Sequence, residues 1–380
     1  MSRNNRPTIA HVTSPYLRAT ETFIYDRIRH HLSFRPVVIT TEPIEHMDIF
    51  PMSPVHSAAS GSLLARKWDG FMRRTKGYSP FLERAALAEN AKALVAHFGQ
   101  IGVSLLPLAR RLNLPLITAF YGHDASAALR DAELRRQYQE LFSEAAIISV
   151  LSHDMKNRLV DAGCPPDKVR IHRLAFDTNG LPLASPGKPG PLRVMTNGRF
   201  VEKKGFPYLL EAFADLRRST PNALLTIVGD GPLRAAIETK IMALNLVSSV
   251  QLAGIMPRSE VFRLMSESHL FILPSVTAAD GDMEGTPMAL IEASAAALPC
   301  ITTRHAGSPE VIEDSVTGFV VPERDSTALA DRLRTLAADP ALRARMGDAA
   351  RAKAQREFDI REVMRQMEAD IRDAVKPRKG

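Results

Sequence analysis

Two basic side chains and two carboxylates stand out for the chemistry that their types and spacing allow. Arg199 and Lys204 lie in a segment that begins and ends with glycine. A guanidinium binds a diphosphate with two parallel hydrogen bonds, and an ammonium adds a point charge. Glu284 and Glu292 flank the start of an expected helix. Carboxylates beside a site for anions favour a ligand that also carries hydroxyl groups, such as a phosphorylated sugar.

The segment 280–292 is a polar loop that runs into this expected helix. The hydroxyl of Thr286 can cap the helix, and Pro287 suits its first position because that position needs no amide donor. Unpaired amides and the helix dipole at such an end favour negative charge. We therefore expect an anion site here, with Glu284 just before the helix and Glu292 inside it.

A third polar loop has a similar composition. Residues 229–233 form a glycine turn that follows a predicted strand at 224–228. Gly229 and Gly231 let the backbone approach a ligand closely. Ligands of open α/β sheets bind beyond the carboxyl ends of the strands. Three such loops at the strand ends of one sheet therefore predict one ligand site.

Composition limits the classes of protein that fit. A chain of 380 residues exceeds one hydrophobic core, so we expect two domains. The net charge of +7 suits anionic ligands or anionic lipid surfaces. Cys164 and Cys300 lie far apart, which argues against a disulfide framework and a zinc site. Arg3 and Arg6 are followed by no apolar run, so we expect no signal peptide, no membrane span and a cytoplasmic protein.

The apolar runs predict an α/β fold made of two successive doubly wound units. Strands and helices alternate from residue 8, and the alternation restarts after a Pro/Gly-rich stretch. Predicted strands are 8–12, 36–40, 115–120, 146–150, 192–196, 224–228, 250–252 and 270–273. We expect domains at 1–177 and 192–365 whose sheets face a cleft, a linker at 178–191, and a C-terminal helix or tail at 366–380 that returns to the first domain.

In combination, these motifs resemble the retaining glycosyltransferases of family 4, which have the GT-B fold. The resemblance covers nearly all of the second half. It is looser in the first half, where it is closest to the branch that builds bacterial exopolysaccharides such as colanic acid. The matching segments are 198–199 with 202–205, 229–233, 274–275, the pair Glu284 and Glu292, 307–310 with 318, and, in the first half, 20–24, 96–99 and 121–124.

The resemblance assigns roles to the site residues. It implies that Arg199 and Lys204 hold the diphosphate of a nucleotide-sugar donor and stabilise it as the leaving group, since negative charge grows there as the glycosidic bond breaks. Glu292 would accept hydrogen bonds from the ribose hydroxyls, and Glu284 would contact the sugar. The other implied donor-site residues are Gly198, Gly229, Gly231, Gly285, Thr286, Pro287 and Met288.

Asp280 and Asp282 offer a pair of carboxylates for Mn²⁺ or Mg²⁺. Further ligands are lacking nearby, and two cationic side chains already neutralise a diphosphate. We therefore expect no metal, and no cofactor besides the donor substrate. The loop is better interpreted as a lid over the donor sugar.

The first-half site departs from the family pattern. Tyr121 stands where the family usually has histidine, and Asp124 stands at the aspartate position. Either His123 or Tyr121 could replace the histidine. We expect Asp124 and His123 at the catalytic site, against the alternative of a capping aspartate and an exposed histidine. His97 follows an apolar run that we expect to be helical, and it fits a structural role better.

The segment 63–76 has the pattern of an interfacial helix. On a helical wheel its apolar side chains share one face and its basic side chains lie on the other; these are Leu64, Trp68, Phe71 and Met72, and Arg66, Lys67, Arg73 and Arg74. Such a helix would contact the anionic inner face of the cytoplasmic membrane. The alternative is a domain-packing helix with a solvated basic face, which Gly70 and the short apolar stripe favour.

The sequence therefore predicts a glycosyltransferase that moves a hexosyl unit from a UDP- or GDP-sugar to a hydroxyl of a glycan or lipid-linked glycan, without a nucleic-acid partner. Two alternatives remain open. One is a nucleotide-sugar epimerase of the same architecture, which needs acid and base groups around the sugar ring. The other is a protein that binds a nucleotide sugar without catalysis.

Overall fold

A computed structural model describes residues 6–18 and 21–376. Contacts within the chain divide it into two compact units, Met1–Phe176 with Ile360–Gly380, and Asp177–Asp359. Each unit has one parallel sheet with helices, so the predicted α/β fold with two Rossmann-like domains is confirmed. The expected linker at 178–191 belongs to the second unit, and the chain returns to the first unit at Ile360 rather than at residue 366. Arg3, Thr20 and residues 377–380 lie outside the described residues.

The strands occur in two sets. Those of the first unit are β1 (Thr8–Thr13), β2 (Arg35–Thr40), β3 (Val55–Ser57), β4 (Ala91–His97), β5 (Leu116–Ala119), β6 (Ile147–Val150) and β7 (Val169–Ile171). Those of the second unit are β8 (Arg193–Asn197), β9 (Leu224–Val228), β10 (Val250–Gly254), β11 (Leu270–Leu273), β12 (Cys300–Thr303) and β13 (Gly318–Val321). Every predicted strand is present, with each end within two residues of the expected one.

The helices alternate with these strands. The first unit contains α1 (Thr22–Arg29), α2 (Leu63–Lys76), α3 (Pro80–Ala88), α4 (Gly99–Leu112), α5 (Ala132–Glu144) and α6 (His153–Asp161). The second unit contains α7 (Phe206–Ser219), α8 (Arg234–Ala243), α9 (Arg258–Ser266), α10 (Met288–Ala295), α11 (Ser308–Val311), α12 (Ser326–Ala338) and α13 (Pro340–Glu357). The final helix, α14 (Ile360–Val375), belongs to the first unit.

In each sheet the strand order reverses once. The first has the order β3-β2-β1-β4-β5-β6-β7, and the second has the order β10-β9-β8-β11-β12-β13. The strand pairs within both sheets are parallel. The order reverses between β1 and β4 and between β8 and β11. Because ligands of open α/β sheets bind at the carboxyl ends of strands beside such a reversal, each unit has one expected ligand position.

The C-terminal helix α14 packs on the first sheet, as expected for a returning helix. Its buried apolar residues recur at helical spacing and join strand residues in one core cluster. The helix contributes Val363, Met364, Met367 and Ile371 to this cluster, and the strands contribute Ile9, Ala93, Val95, Ile117 and Ile147.

The run before His97 is a strand, and the expectation of a helix there was wrong. β4 lies between β1 and β5 and pairs with both of them. Its sequence, rich in alanine, has little intrinsic preference for strand. Burial in the middle of a parallel sheet outweighs that preference, because strands covered on both faces need continuous apolar residues rather than alternation.

The helix α2 is attached to the first unit by a polar residue rather than by its apolar face. Asp69 is buried and accepts hydrogen bonds from Ser79 Oγ at 2.6 Å and from Phe81 N at 2.9 Å. The large apolar side chains are instead 53% to 81% exposed; they are Leu63, Leu64, Trp68 and Phe71. Met72, the remaining residue of the expected apolar face, is half-buried, and the choice between an interfacial and a domain-packing helix stays a prediction.

We expect Met364→Ala to lower the free energy of unfolding by about 2 to 5 kcal/mol, because the side chain is fully buried between α14 and the sheet and its loss leaves a cavity. Urea unfolding followed by circular dichroism measures the change. Gln366→Ala on the exposed side of the same helix is the control and should change the free energy by less than about 0.5 kcal/mol. Equal effects of the two substitutions would contradict the placement of α14.

Candidate functional site

Three loops of the second unit meet at the carboxyl ends of neighbouring strands. β8 pairs with β9 on one side and with β11 on the other. The segments 198–205, 229–233 and 274–287 follow these three strands. The structure therefore brings the predicted donor-site segments of this unit to one edge of the sheet, where the strand order reverses.

The first two loops are joined backbone to backbone. Phe200 N donates to the Asp230 carbonyl at 2.8 Å. A Cβ on Gly229 would lie 2.1 Å from the Gly198 carbonyl oxygen, and a Cβ on Gly231 would lie 2.7 Å from Phe200 N. Gly229 also has a φ of +129°, which side chains rarely adopt. Glycine is therefore required here for the two loops to approach each other.

Lys204 and Glu284 form a largely buried ion pair. Lys204 Nζ lies 2.7 Å from Glu284 Oε1, and the side chains are only 14% and 11% exposed. The stem of Lys204 passes Gly198, where a Cβ would lie 3.1 Å from Lys204 Cε. Burial alone would raise the pKa of Glu284, but the ammonium groups of Lys204 and Lys203 outweigh it and hold that pKa below its usual value. The structure thus joins two predicted site residues.

The position of Glu284 depends on two residues that the sequence analysis missed. The backbone N–H of Glu284 donates to His305 Nε2 at 3.1 Å, so His305 Nδ1 carries the ring hydrogen and donates to Glu323 Oε1 at 2.6 Å. Burial would raise the pKa of Glu323, but the Thr277 amide and His305 hold it below its usual value. The position of His305 just beyond β12 is the sequence signal that could have identified it.

The acidic loop is held by internal pairs. Lys203 Nζ lies 2.9 Å from Asp282 Oδ2 and 3.3 Å from the Met283 carbonyl oxygen. Asp280 Oδ1 accepts from the Asp282 amide at 2.8 Å. Within residues 6–18 and 21–376, no group of three histidine, cysteine or acidic residues is arranged to hold a metal. The metal independence of the site stays a prediction.

Glu292 is paired with an arginine that the sequence analysis also missed. Arg258 Nε and Nη2 lie 3.0 and 2.8 Å from Glu292 Oε1, and Glu292 is buried. Arg258 is the first residue of α9, just beyond the β10 strand. The pair fixes one carboxylate oxygen of Glu292. Arg199, in contrast, is exposed, and the structure gives its guanidinium no partner among the described residues.

The start of α10 differs from the predicted cap. The helix begins at Met288, so Pro287 precedes it with extended backbone (φ −68°, ψ 113°), and no side chain caps the helix. Thr286 is buried and is not the capping residue. The cause is tertiary: the preceding carbonyl of Gly285 accepts from Gly307 N at 3.2 Å, which ties the loop to the segment after β12.

In the first unit, the side chain of Asp124 binds backbone amides. It is buried, and its oxygens accept from the amides of Tyr121, Gly122 and Gly99 at 2.9 to 3.0 Å. Burial raises its pKa, although these amides act in the opposite direction. His123 is exposed. Both features also fit the alternative of a capping aspartate and an exposed histidine, and the expected catalytic role of Asp124 and His123 stays a prediction.

With this geometry in place, the chain can be compared with known proteins. Residues 184–353 match the family model described as glycosyl transferases group 1. The chain is 35% identical over 298 residues to the amylovoran biosynthesis glycosyltransferase AmsK of Erwinia amylovora, which covers 76% of this chain and 73% of AmsK. It is 32% identical over 315 residues to WcaL of Escherichia coli (strain K12), covering 80% and 77%. The chain belongs to the group 1 glycosyltransferases.

The fold is also shared with solved structures. The structure of Anabaena Alr3699/HepE in complex with UDP and glucose superposes with a TM-score of 0.79 over 97% of this chain and 100% of that one, at 18% identity. The lipopolysaccharide outer core galactosyltransferase WaaB gives a TM-score of 0.73 at 14% identity, over 96% and 99% of the two chains. This glycosyltransferase therefore has the GT-B fold. None of the helices that the described residues form is long and apolar enough to cross a bilayer.

We expect Lys204→Met in this glycosyltransferase to lower the free energy of unfolding by about 3 kcal/mol at neutral pH, because it leaves a buried carboxylate without its cation. In the native chain Glu284 has a depressed pKa, so its contribution to stability is present above the ordinary glutamate pKa and is lost as the pH falls. In the variant, burial raises the pKa of Glu284, and of the two ammonium groups only that of Lys203 opposes it. The difference between the two chains should therefore shrink below about pH 4.

Urea unfolding between pH 3.5 and 8 measures this effect. Lys203→Met is the matched control, since its partner Asp282 is more exposed than Glu284 and the loss should be smaller. A Lys204→Met deficit that does not change with pH would contradict the assignment of the buried charge to Glu284.

Proposed function

We propose that this glycosyltransferase is a retaining hexosyltransferase that uses a UDP- or GDP-sugar and glycosylates a hydroxyl of a growing bacterial exopolysaccharide. The observation that carries the proposal is the buried ion pair of Lys204 and Glu284. The pair lies beside the loops that glycines bring together, at the point where the strand order of the second sheet reverses. AmsK and WcaL are named for amylovoran and colanic acid biosynthesis. Complexes of HepE contain UDP or UDP-glucose, and a mycobacterial relative is named as GDP-mannose-dependent.

The proposed donor geometry gives each charged residue a distinct task. Lys204 and the exposed Arg199 bind the diphosphate and stabilise the charge that it gains as the leaving group. Glu284 orients the Lys204 ammonium and accepts hydrogen bonds from the sugar. Glu292, fixed through one oxygen by Arg258, accepts from the ribose hydroxyls. The amides of Gly285 to Met288 approach the phosphate or the sugar.

The two cationic side chains are proposed to replace a metal. Each charge of the donor diphosphate would then meet the Lys204 ammonium or the Arg199 guanidinium, so no Mg²⁺ or Mn²⁺ would be required for leaving-group stabilisation. Asp282 remains paired with Lys203 in this proposal. The loop 280–283 is proposed to cover the donor sugar.

A nucleotide-sugar panel tests the proposed activity and separates it from the alternatives. Thermal shift identifies the donor that stabilises the chain most, and the labelled donor is then incubated with the protein. Release of the nucleotide diphosphate and a sugar product of retained anomeric configuration, read by nuclear magnetic resonance, is the expected result. Epimer formation without an acceptor would favour the epimerase, and binding without turnover would favour the non-catalytic binder.

We expect Lys204→Ala to lower turnover of that donor on the order of 10²-fold or more, measured in EDTA, because leaving-group stabilisation is lost. Arg218→Ala is the control: it also removes a cation, but from the opposite end of the α7 helix, where Arg218 is 81% exposed. Its turnover should stay within about twofold of the native chain. An unchanged rate for Lys204→Ala would remove the proposed role of this ammonium.

We also propose that α2 holds the protein on the anionic inner face of the cytoplasmic membrane, where a lipid-linked glycan acceptor is presented. Both exposed apolar side chains and basic side chains line this helix. A cleft of about 480 Å³ beside it is lined by four of the basic residues, Arg66, Lys67, Arg73 and Arg74. Apolar insertion and attraction to anionic headgroups are the two contributions that interfacial helices combine.

We expect Trp68→Ser to reduce cosedimentation with phosphatidylglycerol vesicles about tenfold. The variant lacks the large apolar side chain whose transfer from water into the membrane would favour binding. Ile255→Ser is the matched control, since Ile255 is 84% exposed on the second unit and lies outside α2. Binding of the native chain should fall in pure phosphatidylcholine and in high salt. An equal loss of vesicle binding in both variants, or no binding by the native chain, would contradict the proposal that α2 binds the membrane.

A further inference from the structure

Three first-unit segments that carry the family resemblance, but have no part in the donor site, meet at the ring of Tyr121. The ring centroid of Phe23 lies 5.1 Å from that of Tyr121, and the ring centroid of Phe98 lies 5.0 Å from it. Both pairs of rings are tilted, with interplanar angles of 53° and 58°. Residues that are far apart in the sequence therefore form one aromatic cluster, made of Phe23, Phe98 and Tyr121.

The aromatic cluster lies at the carboxyl ends of the strands of the first sheet. Phe23 belongs to α1, which follows β1, while Phe98 directly follows β4 and Tyr121 follows β5. The strand order reverses between β1 and β4, which is the expected ligand position of an open α/β sheet. Tyr121 is buried, whereas Phe23 and Phe98 are half-buried. Two of the three rings therefore keep surface that a ligand can contact.

The backbone of Phe98 is strained. Its φ of +81° and ψ of 145° lie close to a region that is occupied almost only by glycine, because a Cβ there is crowded by the backbone. The chain has its glycine one position later, at Gly99. Strain of this kind persists at sites where the side chain has a use that outweighs it. The conformation therefore indicates a use for the phenyl ring of Phe98.

Hydrogen bonds on both sides of Phe98 maintain this conformation. Phe98 N donates to the Ala119 carbonyl oxygen at 2.9 Å. The following amide, Gly99 N, donates to Asp124 Oδ2 at 3.0 Å, and Asp124 Oδ1 accepts from Tyr121 N at 2.9 Å. One buried carboxylate thus fixes the backbone beside Phe98 and the backbone of Tyr121 together.

Glu21 supplies a carboxylate beside the aromatic cluster. It is half-buried, and its Oε2 accepts from Arg18 N at 2.9 Å. Among residues 6–18 and 21–376, its Oε1 has no hydrogen-bond partner. Burial raises the pKa of Tyr121 to about 12, and the carboxylates of Asp124 and Glu21 act in the same direction while Arg27 opposes them. The charge of Glu21 is therefore close enough to act on the cluster.

This combination of groups fits an uncharged ring that carries hydroxyl groups. One face of a pyranose ring presents C–H groups, which pack on the negative face of an aromatic ring. Its hydroxyl groups can donate to a carboxylate oxygen such as Glu21 Oε1. A cationic ligand also suits aromatic rings and a carboxylate. The Arg27 guanidinium, however, already lies 5.8 Å from the Tyr121 ring centroid and would repel a second cation.

We propose that the aromatic cluster and Glu21 form a saccharide-binding site of the first unit. A hexopyranose ring packs on Phe98 and Phe23 and donates a hydroxyl hydrogen bond to Glu21. Tyr121 and Asp124 are positioning residues, because they hold the ring and the backbone of Phe98. The inference rests on the proposed function, in which a glycan is the acceptor, and it specifies that the acceptor is recognised through a sugar ring.

Saturation-transfer nuclear magnetic resonance on the full chain, without any nucleotide, tests the site. The probes are methyl β-D-glucopyranoside and methyl β-D-galactopyranoside. Irradiation of the aromatic protons of the protein should transfer saturation to the C–H groups on one face of the sugar ring. We expect Phe98→Ala and Phe98→Gly each to weaken glycoside binding about tenfold, because the packed ring is lost. No transfer to either glycoside in the native chain would overturn the proposal.

Phe81→Gly is the matched control. Phe81 is half-buried in the same unit, but it lies in α3 and outside the aromatic cluster. Its replacement should leave glycoside binding unchanged. An equal loss of binding in Phe81→Gly and Phe98→Gly would contradict the site. Unchanged binding in Phe98→Gly would mean that the glycoside binds elsewhere, and it would overturn the proposal as well.

The strain at Phe98 gives a second readout that needs no ligand. Glycine relieves the strain and alanine does not, so the Tm of Phe98→Gly should exceed that of Phe98→Ala by about 2 to 4 °C. At Phe81 the order should be reversed, because glycine weakens a helix relative to alanine. A Phe98→Ala chain at least as stable as Phe98→Gly would remove the structural basis of the site.

Glu21→Gln separates a hydroxyl ligand from a cation. The amide oxygen of glutamine still accepts a hydrogen bond, but a weaker one, so glycoside binding should fall about threefold without being abolished. Choline is the cationic probe, and we expect it not to bind. Choline binding that Glu21→Gln abolishes would overturn the assignment to a saccharide.

Failure of this inference can be distinguished from failure of the proposed function. No nucleotide release from any donor, together with glycoside binding that depends on Phe98, would contradict the transferase and leave the saccharide site standing. Nucleotide release by a native chain whose glycoside binding is absent, or independent of Phe98, would contradict the saccharide site alone.

Discussion

The second unit depends on one buried ion pair, Lys204 with Glu284. Removing both charges from water is costly, and their mutual attraction offsets that cost only with good geometry. The geometry comes from backbone packing: glycines let two loops touch, and the His305 and Glu323 pair holds the third. Under the proposed function, an ammonium fixed in this way would need little reorganisation when the donor diphosphate approaches, which is what leaving-group stabilisation would require.

The two units have different kinds of polar side chains at the same topological position. Beside the reversal in the second sheet, charges are paired and Arg199 reaches the surface. Beside the reversal in the first sheet, the polar groups are buried and imidazole rings are linked in series. The first arrangement suits a charged ligand that must be neutralised. The second keeps its polar groups hydrogen-bonded to one another and largely out of contact with solvent.

The sequence could predict the α/β class and the positions of eight strands, because those features have a local signal. It also brought forward donor-site candidates in contiguous motifs, and their role stays a prediction. It failed at β4, whose alanine-rich run is a strand only because two neighbours pair with it. It also missed Arg258, since nothing local indicates a partner 34 residues away. It missed His305 as well, although the position of this residue just beyond β12 was a signal; its partner Glu284 lies 21 residues away. The predicted cap of α10 was wrong for a similar reason, because the amide of a distant residue holds the loop that precedes the helix.

The buried histidines show why single residues can mislead. Each of His11, His31 and His97 has an ordinary structural interpretation alone, and Glu368 is one acid in a charged helix. Deeper layers of the same helix-to-sheet interface contain Ile9, Val95 and Ile117, which pack without any hydrogen bonds to satisfy. An interface that needed only packing would continue in aliphatic residues to its end. The polar layer instead runs from Tyr121 and the end of β4 through β1 to α14, and every ring nitrogen of His11, His31 and His97 has a hydrogen-bond partner. A buried network rigidifies its surroundings rather than weakening a core when all its polar atoms are satisfied.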